Sequence, residues 1–170
     1  MAYLSHSTLR QMVPLSNLRS SNTSWQIQWN TPHVWVLEKA PGAETSSLLT
    51  ALDLPRSARP MEGTRLLAVE VWYQISSAAA VAFSAALYRL SLPGQGGSLP
   101  GAQAISAAYD AAHDTAAKRA ALGLHRLMLT PGEMKFGPAD EVCFLELTVQ
   151  TGSSSQVQIL GVQMHYALRL

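Results

Sequence analysis

Thr64-Arg65-Leu66-Leu67-Ala68-Val69-Glu70-Val71-Trp72-Tyr73-Gln74-Ile75 is the longest stretch of this chain that alternates cleanly, and its reading decides the fold. A period of two puts Leu67, Val69, Val71, Tyr73 and Ile75 on one face and Ala68, Glu70, Trp72 and Gln74 on the other. β-branched and aromatic residues at that spacing are the mark of a strand with one face buried.

The same period recurs on both sides of it. Residues 34–39 and 48–54 alternate, and Pro41-Gly42 and Pro55 close them. Residues 81–92 are rich in alanine, which favours helix, yet Val81, Phe83, Ala85 and Leu87 alternate and predict a strand. Residues 93–101 form a Pro/Gly breaker, and residues 104–109 a short strand. Residues 110–121 read as a loop with up to three turns of helix, Asp114 being the expected N-cap. Residues 122–130, 141–150 and 157–170 alternate again, and in the last of these Leu160, Val162, Met164, Tyr166, Leu168 and Leu170 share a face. About eight strands at short intervals predict an all-β chain: an antiparallel, jelly-roll-like β-sandwich over residues 34–170. Residues 1–33 are polar and irregular and read as an extended N-terminal arm, in which Trp25, Ile27 and Trp29 alternate with Gln26 and Gln28.

Composition then narrows the role. The chain has 170 residues, 48% of them hydrophobic and only 14% charged, with a formal net charge of +1. An ordinary soluble domain carries roughly 25% charge, and depletion of charge is typical of buried interface. Residues 1–37 hold Arg10 and Arg19 and no acid, and residues 96–108 hold no charge at all. Both stretches are therefore expected contact surfaces. Near-neutral charge argues against a nucleic-acid partner. No stretch reaches the ~20 apolar residues of a membrane-spanning helix, and the N-terminus lacks the pattern of a signal peptide. A chain made in the cytoplasm, with no membrane partner, is expected.

No cluster announces a reaction. Cys143 is the sole cysteine and lies in an apolar run, so no disulfide framework or cysteine zinc site is expected. Asp110, His113 and Asp114 are the best candidates for metal ligands, but their spacing matches no known loop, and turn hydrogen bonds explain them more simply. His125 and His165 lie within strands and read as structural. There is no Gly-x-Ser-x-Gly, no obvious carboxylate pair and no phosphate loop. The expectation is a protein that is not an enzyme, with no cofactor and no metal. Trp25, Trp29, Trp35 and Trp72 could make a sugar-stacking platform, although packing of the arm explains three of them with fewer assumptions.

Several segments carry a resemblance: residues 69–75 running through an alanine-rich turn into Ala86-Leu87-Tyr88-Arg89-Leu90; Tyr109-Asp110 with residues 113–119; His125-Arg126-Leu127-Met128-Leu129; and the closing Tyr166-Ala167-Leu168-Arg169-Leu170. Over residues 63–170 the chain resembles small β-sandwich structural proteins of tailed-phage virions. That resemblance implies a capsid decoration (cement) protein located in the virion, with its own copies (a trimer favoured) and the major capsid protein or other virion proteins as partners. It carries over no catalytic residue. Trp25, Ile27, Trp29 and Trp35 are the expected apolar anchors of the arm on such a partner. The alternative is a head or tail fibre-like piece, or a receptor- or glycan-binding β-sandwich module.

Overall fold

The decisive stretch forms one long strand at the centre of a seven-stranded sheet. In the computed structural model, residues 6–30, 34–54, 63–92, 101–132 and 141–169 are described, with backbone alone for His6, Ser7, Asn30, Gly63, Leu168 and Arg169. The strands are β1 (His6–Val13), β2 (Arg19–Ser20), β3 (Trp25–Asn30), β4 (Val34–Lys39), β5 (Glu44–Leu52), β6 (Gly63–Ser76), β7 (Ala82–Ser91), β8 (Gln103–Ile105), β9 (Ala107–Tyr109), β10 (Gly123–Pro131), β11 (Glu141–Thr151) and β12 (Gln156–Arg169). A 3-10 turn (Leu15–Asn17) and one helix, α1 (Ala116–Ala120), complete the described elements.

Two antiparallel sheets face each other. The larger runs β3-β4-β12-β6-β10-β9, with β1 also paired to β12; the smaller runs β2-β5-β11-β7-β8. The sandwich expected from alternation is therefore present, with twelve described strands where about eight were counted. The core is the meeting of the two inner faces: Val69, Val71, Tyr73 and Ile75 from β6, Val157, Ile159, Val162 and Met164 from β12, and Phe83, Leu87, Leu145, Leu147 and Val149 from the facing sheet, all at most 1% exposed. The alanine-rich segment is a strand because Phe83, Ala85 and Leu87 point into that core, where burial outweighs helix propensity.

Two β-bulges shift the phase. Pairing of β6 with β12 slips between His165 and Tyr166 and again between Ile159 and Gly161. The first leaves Leu67 as the extra residue, so Leu66 is buried at 2% and Leu67 is only half-buried. The second takes Leu160 out of the inner row. Strict alternation placed both leucines in the core; one inserted residue flips every side chain beyond it.

The N-terminal third also departs from expectation. β1 lies along β12 from His6↔Arg169 to Val13↔Val162, β2 joins the other sheet at Leu49 and Leu48, and β3 pairs with β4 across residue 33. Residues 6–30 are thus built into both sheets. Trp25 is 7% exposed, and its Nε1–H donates to Ser46 Oγ at 2.9 Å, tying β3 to β5 in the facing sheet. Trp25 cannot be a surface anchor. Replacing it with phenylalanine keeps most of the ring but strands a buried hydroxyl, an expected loss of about 1–3 kcal/mol. A lower urea midpoint at unchanged slope would register it.

The short strand expected over residues 104–109 is two strands on different sheets, β8 on β7 and β9 on β10. Thr115, not Asp114, caps α1, its hydroxyl accepting from the Lys118 amide at 3.3 Å. Residues 93–100 of the Pro/Gly breaker, residues 1–5 and Leu170 lie outside the described residues.

Candidate functional site

The outer face of the large sheet carries a polar row fixed by strand register. Gln26 on β3 lies opposite Glu38 on β4, Glu38 opposite Gln158 on β12, Gln158 opposite Gln74 on β6, and Gln74 opposite Leu124 on β10. Directly opposed residues point to the same side, so five neighbouring side chains line up across the sheet. At the usual inter-strand spacing the row is about 19 Å long. Gln26, Gln74 and Leu124 are exposed and Glu38 and Gln158 half-buried. Gln158 Nε2 donates to Glu38 Oε2 at 2.6 Å, which orients both groups.

Trp72 stands two residues from Gln74 along β6, on the same face as Gln74 and Glu70 and opposite Arg126 and Gly161. A Cβ at Gly161 would stand 3.1 Å from Met12 Cε and 3.6 Å from Trp72 Cε3. The glycine therefore gives the indole room to extend over β12. The Arg126 guanidinium sits 5.8 Å from the indole centroid on the other side, within cation–π range.

Arg126 is held there from below. Glu70 is fully buried, and its Oε1 accepts from Arg126 Nε at 2.7 Å and Nη2 at 2.5 Å. Its Oε2 lies 3.2 Å from His165 Nε2. One end of the guanidinium is thus fixed by a buried carboxylate while its side chain stays 61% exposed. Burial rises along β6 from exposed Gln74 through half-buried Trp72 to buried Glu70. The indole stands where the open row meets a closed end.

The expected anchors fall elsewhere. Ile27, Trp29 and Trp35 are about half exposed, at 48%, 50% and 56%. Trp29 and Trp35 pair edge-to-face at 4.7 Å. They share the side of the hairpin that holds Leu37 and Trp25 in the core, opposite to the polar row. From Val162 onward β12 pairs with β1 instead of β4, so the hairpin tip leaves the sheet and carries its tryptophans out of the core.

Of the weighed metal ligands, Asp110 and His113 meet at 2.9 Å, whereas Asp114 pairs with Lys118 at 2.8 Å on the surface. No group of three or more metal-ligating side chains exists among the described residues. Cys143 is buried on the inner face of β11. His125 and His165 sit on strands, as read. Gln26, Glu38, Gln74, Arg126 and Gln158 were not singled out in the sequence. Their signal was the polar half of each alternation, which marks an outward face but does not reveal which outward faces adjoin.

No family model matches the chain, and no curated protein matches it. Among solved structures it is similar to a xylan-binding module, CBM15 (12% identity, 94% of this chain and 97% of that one, TM-score 0.46). It is similar to the K1 cleaved adhesin domain of the Lys-gingipain of Porphyromonas gingivalis W83 (17%, 93% and 97%, 0.43). A third is a carbohydrate esterase from the Shiga toxin-encoding bacteriophage phi24B (14%, 92% and 92%, 0.38).

Proposed function

We propose that this chain is a non-catalytic recognition module that binds a neutral or weakly charged glycan across the outer face of its seven-stranded sheet. The observation that carries this reading is the alignment of Gln26, Glu38, Gln158 and Gln74 beside Trp72 and Arg126. Amides and a carboxylate donate to and accept from hydroxyls, and an indole face suits the apolar face of a pyranose ring. Sugar units in a chain repeat on the same scale as neighbouring strands, so a row running across strands meets successive units. Little net charge on the row favours neutral chains over polyanions.

Tryptophan fluorescence and calorimetry against soluble neutral polysaccharides, with a polyanionic one as control, test it. Saturable, salt-insensitive binding to a neutral glycan is expected. Silence across the panel, or binding that salt abolishes, overturns the reading.

A second reading has its own support. Ile27, Trp29 and Trp35 are exposed apolar residues on one side of an uncharged hairpin tip, in a chain with only 14% charge. That patch suits docking on a protein surface, as in a virion structural protein that decorates a capsid, as a trimer or another oligomer, and stabilises it by binding only the assembled state. Co-sedimentation with particles, lost when Trp29 and Trp35 are both changed to serine, is the result that reading requires.

A further inference from the structure

The strap between β9 and β10, residues 110–122, is tied to β10 of the large sheet through a chain of hydrogen bonds, while Arg119 within it reaches β7 of the facing sheet. Asp110 Oδ2 accepts from the Met128 amide at 2.7 Å and Oδ1 from the Ala112 amide at 2.9 Å. Both carboxylate oxygens lie 2.9–3.0 Å from His113 Nδ1. His113 Nε2 is 3.3 Å from His125 Nδ1, and His125 Nε2 is 2.8 Å from the Ala121 carbonyl oxygen. His113 is buried at 6%.

A carbonyl oxygen only accepts, so His125 Nε2 carries hydrogen. Asp110 is ionised: burial pushes its carboxyl up, but the Met128 amide, His113 and the Ala112 amide together hold it below the usual carboxylate value. His113 Nδ1 therefore carries hydrogen as well. The two facing nitrogens, His113 Nε2 and His125 Nδ1, need one hydrogen between them. Two neutral rings hold two hydrogens and leave lone pairs facing each other. Two charged rings hold four and set N–H against N–H.

We propose that His113 and His125 share one extra proton as a hydrogen-bonded imidazolium–imidazole pair, which makes the 110–122 strap a pH-sensitive clasp between the sheets. The surroundings fit a single positive charge. Asp110 is its counter-ion. Tyr73 of β6 stacks on His125 with centroids 4.7 Å apart and donates its hydroxyl to the Arg119 carbonyl at 2.8 Å. Burial pushes the Tyr73 hydroxyl far up, with Arg119 opposing and Asp110 and Tyr109 adding to the rise, so Tyr73 stays neutral. Arg119 of α1 commits its guanidinium to backbone carbonyls and an aromatic face. Its Nε donates to the Phe83 carbonyl on β7 at 2.9 Å and its Nη1 to the His113 carbonyl at 2.8 Å, with the group 4.1 Å above the Tyr109 ring of β9. Lys118 and Asp114 pair with each other on the surface.

The clasp holds β7 and α1 to the large sheet: Ala80 donates to the Ala120 carbonyl at 3.0 Å, and Arg119 reaches Phe83. Losing the shared proton breaks the link between the rings, and so does adding a second one. The strap is firmest over an intermediate range of pH and opens on either side. On the acid side Asp110 contributes too: its folded value is depressed, so its stabilisation is present above the ordinary carboxylate value and is lost as pH falls through the folded one.

Side-chain nitrogen NMR of the labelled full chain across about pH 5 to 9 counts the hydrogens without any mutation. Three N–H groups over the two rings in the middle of the range, falling to two at the alkaline end, is the expected result. One N–H per ring throughout overturns the proposal. Amide exchange of Ala80 and Met128, referenced to β11 amides, is expected to accelerate on the alkaline side by up to tenfold per pH unit, the limit for one proton. In Asp110→Asn the side-chain amide can donate to His113 Nδ1 while its oxygen keeps the Met128 amide, at the loss of the Ala112 bond, and the chain closes with two neutral rings. Its alkaline acceleration should vanish. If that limb persists unchanged in the variant, the shared proton is not its cause.

Discussion

A chain lacking residues 1–33 will not fold. The deletion removes β1, β2 and β3, and with them the buried side chains of Val13, Leu18 and Trp25. Burial of a large apolar side chain is worth about 1.5–3 kcal/mol, so three of them match the lower part of the 5–15 kcal/mol by which a domain is usually stable. The deletion also strips β12 of its partner from Val162 to Arg169 and leaves that edge open. Circular dichroism and amide dispersion would show a chain without fixed tertiary structure. A dispersed spectrum with a cooperative melt would mean that residues 6–30 are an accessory after all. Truncation is therefore the wrong probe of docking, and substitutions at Trp29 and Trp35 are the right one.

Trp72→Ala is expected to weaken glycan binding about 30-fold or more, about 2 kcal/mol, the loss typical of a central aromatic contact. The melting temperature should change little, because the indole lies outside the core and is already half-exposed. Gln74→Ala removes one end of the hydrogen-bonding row and should cost less, about 0.5–1.5 kcal/mol. Trp29→Ala lies on the opposite side of the sheet and should leave glycan affinity alone. Calorimetric titration of the three variants against the same glycan separates the outer face from the hairpin tip. Equal losses in Trp72→Ala and Trp29→Ala would move the binding site to the hairpin.

The fold class was legible because period two is a local property. The strand over residues 64–75, the alanine-rich β7 and the closing strand all declared themselves through it. Leu67 and Leu160 did not, because a bulge depends on the partner strand, and alternation in one strand carries no record of its partner. Trp25 shows the same limit. It alternates with Ile27 and Trp29 in a single strand, yet the base of that hairpin lies on the facing sheet and the tip does not. The outer-face row was invisible for a related reason: Gln26, Glu38, Gln158 and Gln74 come from four separated segments. The Asp110–His113 pair could be seen in sequence as a cluster, but its continuation to His125 depends on where β10 passes.

β12 has one further consequence. It pairs with β6 along one edge and with β4 and then β1 along the other, so the strand farthest along the sequence is the hub of the larger sheet. Pairing His6 with Arg169 closes nearly the whole chain into a loop. Until β12 has left the ribosome, β1, β4 and β6 wait with open edges, and such long-range closure puts folding in the millisecond-to-second range. That interval, between synthesis and closure, is when the protein is most exposed to aggregation, and a holding chaperone would have the most to do then.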